Sequence, residues 1–140
     1  MTAIRCASVT EAPVSVAEME RLVADRSAGA VVSFSGDVRD HDHDRPVDRL
    51  EYEGHPTAAQ VMADVAADIA SRHEVVAIAV MHRVGPLEVG DSALVAAVSA
   101  VHRSEAFAAC AALVDETKNR LPVWKHQVFS DGTDEWVNCA

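Results

Sequence analysis

The segment ETKNRLPVWKHQ carries Lys118 and Lys125, the only lysines in a 140-residue chain whose other formal cations are ten arginines. An amine that is desolvated or set beside another cation can serve as acid, base or nucleophile near neutral pH, whereas a guanidinium stays protonated. Two lysines kept seven residues apart around Pro122 and Trp124 therefore point to a need for the amine itself; drift is the plain alternative. At about 100° per residue, Phe107, Ala111, Val114 and Lys118 form one helical stripe. Lys118 then either snorkels to solvent or ends in a pocket at the edge of the core. Lys125 follows Trp124 in a strand just past that helix, so both ammonium groups can reach one cleft.

Other cations stand at element ends. His102 and Arg103 adjoin where a strand gives way to a helix, and the exposed amides and positive dipole end there favour an anion. An ion pair between Arg103 and an acidic side chain is an equally good reading. Arg39 lies just past Gly36 at another strand end, where a solvated surface arginine is the simpler alternative. His82 and Arg83, in MHRVG, read as structural or interfacial. The DHDHD stretch has ligand-type side chains in Asp40, His41, Asp42, His43 and Asp44. No second Cys or His cluster completes a coordination sphere, so no metal site is assigned.

The elements that must hold these residues can be read from periodicity. Residues 3–9 form a first strand. Ser15 with Glu18 makes a capping box, opening a helix that runs to about residue 27. Gly29 opens AVVSFSGDVR, a β-branched run that ends at Gly36. A polar loop over 40–46 leads to a half-buried strand through Val47, Leu50 and Tyr52. A helix spans about 56–72 with Pro56 in its first turn, and a strand spans 75–84. GPLEVGD is read as a turn, 92–102 as a strand, and 103–119 as a third helix that stops before Pro122. VWKHQVF and EWV form a closing hairpin around SDGTD. Paired strands between single helices predict an α+β domain with a mixed or antiparallel sheet, not a doubly wound one.

Composition narrows the function further. The chain is 49% apolar with a net charge of −10. That fits one folded domain over 1–140 and disfavours general nucleic-acid binding, which draws its affinity from phosphate contacts. An anionic ligand would need a local cationic pocket working against the global field. No apolar run approaches the roughly 20 residues of a membrane span, and the N-terminus lacks a leader pattern; the expectation is a cytoplasmic protein. Cys6, Cys110 and Cys139 are far apart and odd in number. Cys6 and Cys110 read as small core residues, and no chemistry is rested on Cys139.

Taken in order, GAVVSFSGDVR, LEYEGHP, MHRVGPLEVGD, VSAVHRSEAF and ETKNRLPVWKHQ resemble the large, catalytic subunit of molybdopterin synthase, from about Gly29 to Val137. The resemblance implies an α/β hammerhead-type fold and a sulfurtransferase. It implies conversion of cyclic pyranopterin monophosphate (precursor Z) to molybdopterin. The two sulfurs come from the C-terminal thiocarboxylate of a small ubiquitin-like partner. The large subunit forms a homodimer within a heterotetramer, and no cofactor or metal is implied. Lys118 and Lys125 match the family's catalytic positions. Arg39, His102, Arg103, Lys118, Lys125, His126 and Gln127 fall at substrate-binding positions. His126 and Gln127 stand where relatives commonly carry another basic residue and then Glu. A non-catalytic phosphate- or nucleotide-binding regulatory module is the competing class, and a DHDHD-based hydrolase would be exposed by sensitivity to chelators.

Overall fold

The structure, a computed structural model, describes residues 3–138; Cys139 lies outside them. Its elements are β1 (Ile4–Thr10), α1 (Val16–Val23), β2 (Ala30–Asp37), β3 (His41–Asp42), β4 (Arg45–Gly54), α2 (Ala58–Arg72), β5 (Ala77–Arg83), β6 (Gly85–Glu88), β7 (Ser92–Ala100), α3 (Arg103–Arg120), β8 (Val123–Phe129) and β9 (Asp134–Asn138). One sheet runs β1-β5-β7-β2, with β1 parallel to β5 and the other pairs antiparallel. In the second, β4 pairs with β3, β6 and β8, and β9 closes against β8. This is the α+β architecture with mixed and antiparallel sheets that the element order predicts.

Strand alternation decides what packs where. Ala77, Ala79, Val95 and Ala97 turn to one face of the first sheet and join Met19 and Val23 of α1. Ile78, Val80, Ala96 and Val98 turn to the other, where Met62 and Ile69 of α2, Leu113 of α3, and Leu50, Tyr52 and Leu87 of the second sheet complete the main core. Ala93 through Ala100 are all buried, as befits a strand covered on both faces.

The structure departs from the sequence reading in four places. First, α1 ends at Val23. Arg5 takes the Leu22 carbonyl (3.1 Å), and Asp25 captures the Ser27 amide (2.9 Å), so the last helical turn never forms. Second, the segment read as a turn contains strand β6, bracketed by Gly85 and Gly90 at positive φ (92° and 93°). Third, residues 40–46 form a hairpin rather than a loop. His43 and Asp44 sit at its tip with φ of 50° and 64°, the left-handed pair that a two-residue turn between twisted strands requires. Fourth, α3 buries Ala106, Ala109, Cys110, Leu113, Val114 and Thr117, while Phe107 is 60% exposed. The buried stripe is therefore rotated from the one drawn through Phe107 and Ala111.

Candidate active site

The last turn of α3 leads directly into β8. Pro122 ends the helix, the Val123 amide bonds the Leu121 carbonyl (2.9 Å), and the His55 amide bonds the Pro122 carbonyl (2.9 Å). This short link aims Val123, Lys125, Gln127 and Phe129 at the interior, with Lys125 directly opposite Tyr52 of β4 in the register. The result is a recess of about 370 Å³ whose wall includes Gly36, Asp37, Arg39, Tyr52, His82, Leu94, Lys118 and Lys125. Both lysines line it: Lys118 is exposed on the rim and Lys125 is half-buried. Arg39, Lys118 and Lys125 outnumber Asp37, whose carboxylate accepts hydrogen bonds from Ser35 (2.5 Å) and Ser92 (2.8 Å). An acidic protein thus concentrates three cations at one opening.

Gln127 and His126 take different places. Gln127 is 2% exposed and donates through Nε2 to Asp42 (2.6 Å) and Glu135 (2.9 Å). It borders a small annex of about 60 Å³ shared with Arg39 and Lys125. Its amide is the main reason the Asp42 carboxyl titrates below the usual range, with the charges of His43, Lys125 and Arg39 adding to the effect. Asp42 in turn holds Arg39 at 3.5 Å. His126 points to the opposite face of β8, stacked on Trp136 (4.5 Å between centroids) with Nε2 2.6 Å from Asp134. It does not face the recess.

His102 and Arg103 stand at the start of α3, fifteen or more residues before Lys118. At 1.5 Å per residue that is about 23 Å. His102 instead borders a separate cleft with Val75, Val76, Val101 and Glu105. Within one protomer the structure does not bring this pair to the lysines. Among the described residues no three His, Cys, Asp or Glu side chains are grouped to hold a metal, so the DHDHD tip is a hairpin without a ligand sphere. Cys110 is buried, and burial pushes its thiol up to about 11, so it carries no thiolate at neutral pH.

Sequence reasoning missed Tyr52 and His82 as parts of this wall. The signal for His82 was present: Ile78, Val80 and His82 share one face of β5, and an imidazole holds the seat where alternation expects an apolar side chain. His82 is 0% exposed, with Nδ1 2.7 Å from the Arg83 carbonyl and its ring edge-on to Tyr52 at 4.8 Å. Burial, helped by the charge of Lys118, lowers its pKa to about 4, against a partial restoring effect of the Arg83 carbonyl. An unfolded chain takes up that proton near pH 6.5 and the folded one only near 4, so stability falls as pH drops between the two. The expected loss is about 3 kcal/mol. Denaturant titrations at pH 7 and pH 4 should show it, and His82→Phe should remove that part of the difference.

A mixed α+β domain whose recess gathers three cations defines a protein fitted to an anionic ligand. The family model described as MoaE protein matches residues 9–120. The molybdopterin synthase catalytic subunit of Nostoc sp. is 41% identical over 94% of this chain and 81% of its own length. That of Bacillus subtilis is 35% identical over 92% and 82%. The solved molybdopterin synthase structure from Staphylococcus aureus superposes with a TM-score of 0.87 at 28% identity, covering 94% of this chain and 96% of that one. The chain belongs to the MoaE family of molybdopterin synthase catalytic subunits, enzymes that transfer sulfur in molybdenum cofactor biosynthesis.

Proposed function

We propose that the lysine recess is where cyclic pyranopterin monophosphate receives two sulfurs to become molybdopterin, delivered on the C-terminal thiocarboxylate of a small ubiquitin-like carrier subunit. The observation that carries this reading is the convergence of Lys118, Lys125 and Arg39 on one opening of about 370 Å³. Arg39 holds an anionic oxygen of the substrate by charge-assisted hydrogen bonds. Lys118, exposed on the rim, supplies and removes protons at the reacting carbons. Lys125, steadied between β4 and β9, supports the negative charge that develops there. Gln127 acts at one remove, through Asp42 on Arg39, and His126 braces the β8–β9 hairpin from behind.

His102 and Arg103 enter this scheme from a second copy of the chain. The length of α3 keeps them from their own lysines, and Val31, Val101 and Phe107 leave apolar surface exposed where β2, the end of β7 and the start of α3 meet. A symmetric dimer covering that surface would lend the pair to the neighbour's recess. Residues 1–140 act in this reading as one domain, in the cytoplasm; among the described residues no helix is long and apolar enough to cross a membrane.

The test is dithiolene formation from the purified protein, the cyclic substrate and a thiocarboxylated carrier. Lys118→Arg and Lys125→Arg keep the charge and remove the compact, titratable amine, so each should slow product formation by roughly 10- to 100-fold. A module that merely holds phosphate would tolerate both changes. Wild-type-like rates in the two variants would show that the recess supplies positive charge alone and would remove the lysine amines from the chemistry.

A further inference from the structure

Of the five DHDHD side chains only Asp42 turns inward, at 14% exposure, while Asp40, His41, His43 and Asp44 are exposed. Its two oxygens meet different partners. Oδ2 accepts from Nε2 of Gln127 (2.6 Å), and Oδ1 faces the Arg39 guanidinium (3.5 Å). The same Gln127 nitrogen donates to Glu135 at 2.9 Å. An amide nitrogen carries two hydrogens and no charge, so one buried group serves two acids and leaves both ionised. Arg39 is 66% exposed, and its one ion pair among the described residues is with Asp42. The hairpin has other anchors. Arg45 lies 3.7 Å over the Phe129 ring and donates to Thr133, and the Ser130 amide bonds the Pro46 carbonyl (2.9 Å). Beside an opening meant for an anion, a carboxylate weakens binding by its charge, so any gain from Asp42 must come from geometry.

We propose that Asp42 is a positioning residue of the recess: it holds the Arg39 guanidinium at the opening and is itself fixed by the Gln127 amide that bridges it to Glu135. This role rests on the recess being the substrate site and deepens that reading. A long, exposed arginine samples many rotamers, and ordering it when ligand arrives costs affinity. A carboxylate that orders it beforehand removes part of that cost. Through Glu135, β9 steadies the same arrangement from the edge of the sheet, without lining the recess. The stretch whose side chains suggest a metal site serves instead to aim one arginine.

The experiment is a double-mutant cycle on Arg39 and Asp42, read as KM and kcat for the cyclic substrate with thiocarboxylated carrier. Arg39→Ala should raise KM about 10- to 100-fold, the range for hydrogen bonds to a charged group. Asp42→Asn should raise KM about fivefold, with kcat within about twofold, as expected when an exposed ion pair that aids binding alone is lost. In the Arg39→Ala background the same change should raise KM no further, because no guanidinium is left to aim. Charge alone predicts the opposite sign, since removing an anion beside the opening tightens anion binding. A KM for Asp42→Asn at or below the parental value therefore overturns the proposal. So does an equal rise in both backgrounds, which would make Asp42 an anchor of the hairpin only. In the unaltered, substrate-free protein, ¹⁵N relaxation should show Nε of Arg39 more ordered than that of the exposed Arg26. This last measurement stands even if Asp42→Asn does not fold, and equal mobility of the two arginines overturns the proposal. Parental KM in Arg39→Ala would instead sink the reading of the recess, and the proposal with it, so the two failures are distinguishable.

Discussion

Lys118→Ala lowers the rate of dithiolene formation by about 10²- to 10⁴-fold, the span associated with loss of a positioned proton-transfer group. The fold should scarcely register the change. Lys118 is exposed in the last turn of α3, so its removal opens no cavity, and alanine is the strongest helix former. Loss of one cation near a helix C-terminus costs about 0.3–1 kcal/mol. Thermal melts of the variant should therefore overlay those of the parent to within a few degrees while initial rates collapse. Near-normal turnover with thiocarboxylated carrier would remove Lys118 from the chemistry.

Two inactive variants regain activity when combined. Arg103→Ala and Lys118→Ala should each damage every site in their own homodimers. In a dimer of one with the other, a site assembled from the lysines of one copy and the His102–Arg103 pair of its neighbour escapes both lesions, and the second site receives both. Random mixing after subunit exchange should then restore roughly a quarter of parental activity, because half the dimers are mixed and each has one intact site of two. A site contained in one protomer cannot behave this way, since every protomer in the mixture carries a lesion. Rates of the mixture no higher than those of the separate variants would place the pair elsewhere. The 18-residue length of α3 is what makes the outcome so divided.

The fold class and helices were legible because they rest on local patterns. Capping at Ser15, the break at Pro122 and the β-branched run before Gly36 all act within a few residues. The errors lie where local chemistry is ambiguous or remote. Alanines occupy both faces of α3, so the phase of its buried stripe was set by the sheet beneath and not by Phe107. The β3–β4 tip bends at His43 and Asp44 without the glycine or asparagine that usually marks such a turn. Among site residues, Lys118 and Lys125 stood out by rarity alone. Tyr52 joined them only through the pairing of β4 with β8, a register that no short window of sequence encodes. His82 was visible as an anomaly in an apolar row, but an imidazole in a core strand acquires meaning only once the cavity beside it is known.

The link from Leu121 to Val123 bears on which changes the recess can absorb. Because α3 hands over to β8 with no slack, the separation of the two amines is a property of one continuous stretch rather than of how the sheets assemble. Side chains along that stretch can vary in kind, but its length cannot. One residue gained or lost between the helix and Lys125 would turn the strand over, presenting Trp124 and His126 inward and sending the amine into water.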